Sequence, residues 1–227
     1  MIRSMDILSR NFSVLQEKQQ NLSANAANAS TPGYKFRDVI SSALPERNMN
    51  HMAGGERLGQ YQALGNFTPG TMVADSVTNF ENGALQHTGN PTDFAVQGDG
   101  FFSVQGPGGQ TYFTRNGQFT TNETGQLITL DGYLVQTDGL QPLVTSFAEG
   151  SVNLVDAGDG YFTGVGGVAN VDGATVYQGY LEMSNGSIAD IMVEMIEIQR
   201  EFEANQRALH ASDETLRKAT SEVGSVR

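Results

Sequence analysis

Residues 188–226 carry the feature that most constrains the fold, an unbroken heptad pattern of mostly apolar side chains. Successive members are alternately three and four residues apart, which places them on one stripe of an α-helix. The members are Ile188, Ile191, Met195, Ile198, Phe202, Asn205, Leu209, Ser212, Leu216, Ala219, Val223 and Val226. A narrow stripe cannot be buried by its own helix, so the pattern predicts a long helix that packs against a partner helix.

A second stripe with the same spacing occupies residues 5–26. Its members are Met5, Leu8, Phe12, Leu15, Gln19, Leu22 and Ala26. Two interpretations stay open: the two helices pair within one chain, or they also pack on neighbouring copies. We expect the first helix to end at Pro32 and Gly33, because proline lacks a backbone donor and biases Thr31 away from helical geometry.

Between the two helical segments the hydrophobic period changes to two. The stretch "TYFTRNGQFTTNETGQLITLDGYLVQ" alternates apolar and polar residues around Asn116-Gly117 and Asp131-Gly132. These dipeptides are strong hairpin signals, so an antiparallel meander is predicted, with a further turn at Gly98-Asp99-Gly100. The fold class is therefore α+β: N- and C-terminal helices form a coiled coil, with an inserted antiparallel, mostly-β domain. The predicted domains are 1–35 plus 184–227 and 36–183.

Composition excludes several classes of function. The formal net charge of −12 and the isoelectric point near 4.5 disfavour binding to nucleic acid or anionic lipid. No apolar run approaches the roughly 18–20 residues that span a bilayer, so no membrane insertion is expected. The first residues lack the order of a cleaved signal peptide. Cysteine is absent, which excludes disulfides and thiolate metal sites.

The sequence shows no pattern of a catalytic, cofactor-binding or metal-binding site. His51, His87 and His210 are far apart, and "DAGDG" (156–160) lacks the order of a calcium loop. Nucleophile-elbow and P-loop motifs are absent. The remote enzymatic alternative is a wall-cleaving glycosidase, because a pair of carboxylates close in space is invisible in one sequence. We therefore predict a protein that is not an enzyme and needs no cofactor.

Three motifs together resemble the axial proteins of the bacterial flagellum, the rod and hook family. "QQNLSANAANASTPGYK" (19–35) is similar to the N-terminal motif of that family. "NPTDFAVQGDGFFSV" and "YFTRNGQFTTNETGQLITLDGYLV" are similar to its β-domain core. "YQGYLEMSN", followed by "MVEMIEIQREFEANQRALHASDETL", resembles its C-terminal signature. The resemblance extends over most of the chain, with 37–75 and 140–172 weak.

The resemblance implies a structural subunit of the flagellar basal body that transmits torque from motor to hook. In this family the terminal helices form a coiled coil that lines a tubular filament, and the β domain lies outside it. The implied partners are copies of the chain itself, other flagellar rod and hook subunits, and the flagellar type III export apparatus. Export without a cleaved signal would place the chain outside the cytoplasmic membrane, in the periplasm or cell envelope.

The length favours a rod protein, with the distal type as first choice, its β-domain-bearing proximal neighbour second, and a hook or hook-basal-body adaptor protein as the alternative. The sequence departs from the family's pattern in two places. The segment between Val135 and Tyr161 is shorter than the usual β domain. Gly186-Ser187 replaces an apolar residue followed by an acidic or amide one.

Two sets of residues are predicted to carry the function. The assembly set is Leu8, Phe12, Leu15, Leu22, Asn25, Asn28, Ile191, Met195, Ile198, Phe202, Asn205, Leu209 and Leu216. The turn and motif set is Thr31, Pro32, Gly33, Tyr34, Gly98, Gly100, Asn116 and Gly117. Small residues near the end of the first helix would let neighbouring helices approach closely, and Asn25 and Asn28 would hydrogen-bond across that contact.

Overall fold

The computed structural model describes residues 2–52, 61–139, 141–146, 154–164, 168–169 and 174–224. It has two helices, α1 (Ile2–Ala27) and α2 (Ile188–Gly224), with short, mostly antiparallel strands between them, which confirms the α+β class. The strands are β1 (Arg37–Ala43), β2 (Arg47–Met52), β3 (Tyr61–Phe67), β4 (Thr71–Thr78), β5 (Leu85–His87), β6 (Phe94–Gln97), β7 (Phe101–Gln105), β8 (Thr111–Thr114), β9 (Phe119–Thr121), β10 (Leu127–Thr129), β11 (Leu134–Val135), β12 (Thr137–Asp138), β13 (Gln141–Pro142), β14 (Val144–Ser146), β15 (Val155–Gly158), β16 (Tyr161–Thr163), β17 (Val168–Ala169), β18 (Thr175–Gln178) and β19 (Tyr180–Glu182).

The chain divides into two compact units. The helical unit comprises the described residues of Met1–Ala24, Arg37–Val77 and Ala189–Arg227, and the β unit those of Asn25–Phe36 and Thr78–Ile188. The division differs from the predicted domain boundaries in three places. The described residues of 37–77 group with the helices, and residues 25–35 and 184–188 group with the strands.

In the helical unit, the less exposed residues of α2 follow the heptad spacing. Among described residues 189–222, those that are not exposed are Ile191, Met195, Ile198, Phe202, Asn205, Leu209, Ser212, Leu216 and Ala219. Ile188, the first member of the predicted stripe, is exposed, the side chain of Val223 is not described, and Val226 lies outside the described residues. The periodicity of a long helix thus appears directly in the burial of its side chains.

Helix α1 is covered over a wider face than its predicted stripe. Val14, Leu15 and Leu22 are buried, but Gln19 and Ala26 are exposed, so the predicted stripe is wrong at those two positions. The covered face includes a second row of residues, Ile7, Asn11, Val14, Lys18 and Asn21. Gly70 lies beside Ile7, and Lys18 and Asn21 line a cleft with residues of β1. Strand β1 pairs with β4 and β2 pairs with β3, so residues 37–77 give α1 this second contact.

The β unit is built on a sheet with the strand order β15-β16-β8-β7-β11-β10-β9, to which β14 adds by pairing with β7 and β17. Side chains alternate across β7, as strand geometry requires. Phe102 and Val104 join the larger core cluster, whereas Phe101 packs with Phe113 and Phe162. Two shorter pairings, β5 with β19 and β6 with β18, connect the segments that lead into and out of the unit.

The predicted meander is correct in one half and wrong in the other. Strands β9, β10 and β11 pair in sequence through the Asn122–Gly125 and Asp131-Gly132 turns. The hairpin predicted at Asn116-Gly117 is wrong, because β8 pairs with β7 and β16 whereas β9 pairs with β10. Gly117 instead lies against Phe94, whose backbone nitrogen donates to the Gly117 carbonyl at 3.0 Å. A long-range backbone contact therefore replaces the local hairpin.

The first helix also ends earlier in the structure than the sequence predicts. Helix α1 ends at Ala27, before Pro32. The Thr31 hydroxyl donates to Asn28 Oδ1 at 3.2 Å and the Thr31 nitrogen donates to the Asn28 carbonyl at 3.0 Å. These bonds close a turn that competes with further helix.

Candidate functional site

The three sequence motifs meet at a cluster of buried charges in the β unit. Lys35 comes from the N-terminal motif, Arg115 follows β8, and Glu182 ends β19. The Lys35 Nζ lies 2.7 Å from Glu182 Oε1, and the Arg115 Nη1 lies 3.2 Å from Glu182 Oε2. The three side chains are 1%, 2% and 0% exposed, respectively. One carboxylate thus joins two cations away from solvent.

Backbone groups satisfy much of the remaining hydrogen-bonding capacity of the cluster. The Gly83 nitrogen donates to Glu182 Oε1 at 2.8 Å, and Lys35 donates to the Glu81 carbonyl at 2.7 Å. Arg115 donates to the Gly98 carbonyl at 2.7 Å. Its guanidinium also donates to Asn82 Oδ1 at 3.0 Å and to the Val96 carbonyl at 3.3 Å, and it lies 5.0 Å from the centre of the Phe101 ring. The chain segments that carry Lys35, Arg115 and Glu182 are therefore each held by more than one hydrogen bond.

Burial dominates the electrostatics of the cluster. Desolvation lowers the pKa of Lys35, while the negative charge of Glu182 opposes that shift. Desolvation likewise lowers the pKa of Arg115 against the same carboxylate. Breaking a buried ion pair by removing one partner generally costs about 3–5 kcal/mol, because it leaves a charge uncompensated. The cluster can therefore hold three segments in one arrangement, but only while all three side chains are present.

The predicted motif residues 25–34 pack beside this cluster. Gly33 has a φ of +70°, and its nitrogen donates to the Glu182 carbonyl at 2.7 Å. A Cβ at Gly33 would lie 2.3 Å from the Arg115 backbone, so only glycine fits there. Asn25 is buried, and its Oδ1 accepts a bond from the Tyr34 hydroxyl at 2.8 Å. Asn28 and Thr31 close the turn described above, so both predicted asparagines bond within the chain.

The remaining predicted turn residues surround Arg115 or the larger core. Gly98 supplies a carbonyl to Arg115, and a Cβ at Gly100 would lie 2.4 Å from Val144. Asn116 accepts a bond from the Gln118 nitrogen at 3.0 Å, and a Cβ at Gly117 would collide with the Phe94 carbonyl. Pro32 is half-buried. These positions serve close packing more than hairpin geometry.

The three charged residues are absent from the predicted assembly set and from the predicted turn and motif set. Lys35 was part of the quoted N-terminal motif, Glu182 part of "YQGYLEMSN", and Arg115 part of "YFTRNGQF". Lys35 and Glu182 are each the single charged residue of their motif, which was the available signal, whereas Arg115 shares its quoted motif with Glu123 and Asp131. That signal does not state that the three residues meet, because Lys35 and Glu182 are separated by 147 positions.

The predicted assembly residues on the helices belong to the helical unit, apart from Asn25 and Asn28. Leu15, Leu22, Ile191 and Ile198 are buried, whereas Leu8, Phe12, Met195, Phe202, Asn205, Leu209 and Leu216 remain partly exposed. Phe12 and Phe202 make an edge-to-face contact with their ring centres 4.9 Å apart. The Asn205 Nδ2 is buried without a hydrogen-bond partner among the described residues. The structure thus brings part of each stripe together.

Other kinds of site find no support in the described residues. No group of three or more His, Asp or Glu side chains among them is placed to hold a metal ion. Neither helix, within its described length, is long and apolar enough to cross a membrane.

The chain has two helices with heptad stripes and a β unit whose closely packed positions hold glycine and buried charge. These features define a class of scaffold protein. Comparison with known proteins identifies the class. Residues 95–190 match the family model described as the flagellar hook protein FlgE/F/G D1 domain, and residues 177–222 match the flagellar basal body rod FlgEFG protein C-terminal model.

Curated relatives match over nearly the whole chain. The flagellar basal-body rod protein FlgG of Bacillus subtilis is 30% identical over 264 positions, which cover 96% of this chain and 98% of the relative. FlgG of Borreliella burgdorferi is 28% identical, with 95% and 97% covered. The rod protein FlgF of Caulobacter vibrioides is 29% identical, with 89% and 90% covered. The chain belongs to the flagellar basal-body rod protein family.

The aligned length indicates that this chain is shorter than a relative that it matches. The alignment with the Bacillus subtilis protein runs over 264 positions, more than the 227 residues of this chain. That relative therefore contains segments that this chain lacks, which is compatible with the short segment noted between Val135 and Tyr161.

Proposed function

We propose that this protein is a structural subunit of the flagellar basal-body rod. The observation that carries the proposal is the match, over nearly full length, to curated proteins named as flagellar basal-body rod proteins. The match to the rod C-terminal family model over residues 177–222 supports it independently. In this role the chain self-assembles into a helical tubular filament that transmits torque from motor to hook.

In the proposed subunit, α1 and α2 form a coiled coil, and the mostly-β domain is inserted between them in the sequence. The spacing of the stripes supports this arrangement, as does the contact between Phe12 and Phe202. The partly exposed members of the stripes, such as Leu209 and Leu216, would then be covered by other subunits. The domain boundaries 1–35 plus 184–227 and 36–183 stay a prediction.

The partners and location follow from the same proposal. The chain packs on copies of itself and on other rod and hook subunits, after delivery by the flagellar type III export apparatus. It resides in the basal body outside the cytoplasmic membrane, and it acts by packing rather than by catalysis. We retain the distal position along the rod as the first choice.

A hook or adaptor role is the second candidate. The family model matched by residues 95–190 is described by a hook protein domain, which favours keeping this alternative. The relatives described above are named as rod proteins, which favours the rod.

Electron microscopy of basal bodies tests the proposal. In the organism that encodes this protein, deletion of its gene is expected to leave the rod incomplete, and a tagged copy should restore the full rod. Gold labelling of the tag on isolated hook-basal bodies is expected to mark the rod. Labelling confined to the hook, or deletion cells with a complete rod and no hook, would support the alternative. Complete rods and hooks in the deletion strain would contradict both.

A further inference from the structure

The helical unit has an acidic cleft between α1, β1 and α2. It has a volume of about 250 Å³, and its lining residues are Lys18, Asn21, Leu22, Asp38, Val39, Glu194, Glu197, Ile198 and Glu201. Leu22, Val39 and Ile198 are buried and form an apolar floor. Four carboxylates and a single ammonium group surround that floor, so the cleft is strongly negative.

The carboxylates of α2 form a stripe whose charges repel each other. Asp190, Glu194, Glu197 and Glu201 are four, three and four residues apart, which places them on one side of the helix. Burial raises the pKa of Glu194, and the charges of Asp38, Glu197 and Asp190 raise it further against the opposing effect of Lys18. Like charges at this spacing destabilise an isolated helix. The single chain therefore retains negative charge that a cationic partner would neutralise.

A second groove of the helical unit has the opposite charge. Its volume is about 410 Å³, and its lining residues are Asp6, Ile7, Arg10, Arg47, Asn48, Met49, Phe67 and Pro69. Arg10 pairs with Asp6 at 3.3 Å, so Arg47 leaves the groove with a net positive charge. The partly exposed Ile7, Met49, Phe67 and Pro69 add apolar surface. On α1, Arg10 of this basic groove and Leu22 of the acidic cleft are about 18 Å apart, at about 1.5 Å per residue.

We propose that the acidic cleft of one copy docks the basic groove of a second copy, head to tail. The inference rests on the proposed function and specifies which surfaces of the helical unit meet when subunits pack. The occupant is a second copy because the same chain carries both complementary surfaces, each with charge and an apolar component. Two different surfaces at different places on one chain form a heterologous contact, which repeats into a ring or an open stack rather than closing as a symmetric pair.

Charge reversal tests the contact in a way that distinguishes it from other packing. One variant, E194K/E197K, reverses the cleft, and a second, R10E/R47E, reverses the groove. The control variant, E123K/D138K, has the same change in net charge as the first but lies on exposed positions of the β unit. Assembly is followed by sedimentation and electron microscopy as a function of protein concentration, in about 0.1 M salt, where charges interact over about 10 Å.

Each reversed variant is expected to need at least about tenfold more protein to assemble than the wild type, since like charges would face each other across the contact. The control should assemble as the wild type does. An equimolar mixture of the two reversed variants should recover assembly, because each can then place a positive surface against a negative one. Circular dichroism and thermal unfolding establish that every variant is folded.

The outcomes separate this contact from the proposed function. If the wild type forms no assembly, self-assembly itself is contradicted. If the wild type assembles and the reversed variants assemble equally well, the docking contact is wrong and the proposed function stands. Folded reversed variants whose mixture does not recover assembly would also overturn the contact, as would a wild-type species that stops at a dimer.

Discussion

Glu182 is the residue on which the β unit most depends, because one carboxylate neutralises both Lys35 and Arg115. Glu182→Gln keeps the shape but leaves two buried cations without a counter-charge. We expect it to lower the free energy of unfolding by about 3 kcal/mol or more. Urea unfolding measures the change, with Glu123→Gln, on an exposed turn, expected to stay within about 0.5 kcal/mol. Equal stability of the two variants would show that the cluster is not needed.

A substitution at Gly33 tests whether the N-terminal motif packs closely against the backbone of Arg115. Gly33→Ala places a Cβ 2.3 Å from the Arg115 backbone at a φ of +70°. Gly125 has a similar φ of +79° but open space around its Cβ position, so Gly125→Ala isolates the backbone strain. We expect the control to cost about 1 kcal/mol, and Gly33→Ala at least about 2 kcal/mol more, in thermal or urea unfolding. Similar costs at both sites would contradict a tight contact.

Tyr161 makes the β unit sensitive to alkaline pH. Burial raises the pKa of its hydroxyl, and the hydrogen bond to Asp131 at 2.6 Å raises it further. A pKa that is higher in the folded state than in the unfolded state contributes stability that is complete below about pH 10 and is lost as the pH rises. Tyr161→Phe should cost about 1 kcal/mol at pH 8 and reduce the fall in stability between pH 10 and 11.

Urea unfolding at those pH values provides the measurement. Tyr177→Phe, at a partly exposed tyrosine, is the control and should leave the alkaline profile of the wild type unchanged. A wild-type profile that is flat up to pH 11 would contradict the role of Tyr161. The hydrogen bond from Tyr161 also gives a structural role to Asp131, which the sequence predicts only as a turn residue.

At the scale of elements, the helices depend on the contact between Phe12 and Phe202. Phe202→Asp places an unpaired charge in the stripe of α2 at a cost of about 3 kcal/mol or more. We expect lost assembly and motility, with the β unit still folded. Gln206→Asp, at an exposed position of the same helix, is the matched control. Normal swimming of cells that carry only Phe202→Asp would rule out this stripe as an assembly surface.

At the scale of the whole molecule, the two compact units predict the fragment that limited proteolysis leaves. The two helical stripes, which lack buried partner surface in an isolated chain, predict a protease-resistant, β-rich core within about 36–180. The structure groups Asn25–Phe36 with the strands, and Lys35 is buried there. In dilute solution, where the stripes are only partly covered, we expect trypsin to cleave after Lys18 and to spare the bond after Lys35.

Mass spectrometry of the resistant fragment is the measurement. The expected fragment begins at Gln19, retains Asn25–Phe36 and ends at Arg200, because residues 116–199 contain no lysine or arginine. A folded fragment that begins at Phe36 would show that the charge cluster is dispensable. A full-length chain that resists protease in dilute solution would instead show that the helices are stable without neighbouring subunits.

The sequence by itself determined the helices, part of the strands of the β unit and the family. A three-four spacing specifies a helical stripe whatever lies opposite, and Asp131-Gly132 specifies a turn through the conformations its own residues prefer. The predictions that failed relied on local sequence signals, which contacts between residues far apart in the sequence override. Gly117 is needed against Phe94 rather than in a hairpin, and Gln19 lies outside the face of α1 that residues 37–77 and α2 cover.

Only the tertiary structure decided that Lys35, Arg115 and Glu182 meet, and that residues 37–77 form one compact unit with the helices. The physical reason is that an isolated charged residue has no period and favours no single secondary structure. Its contribution to stability depends on whether an oppositely charged group is buried beside it. Here the two partners in the closest ion pair are 147 positions apart. Local propensity defines the elements of this protein, whereas desolvation and long-range pairing define how its three motifs are joined.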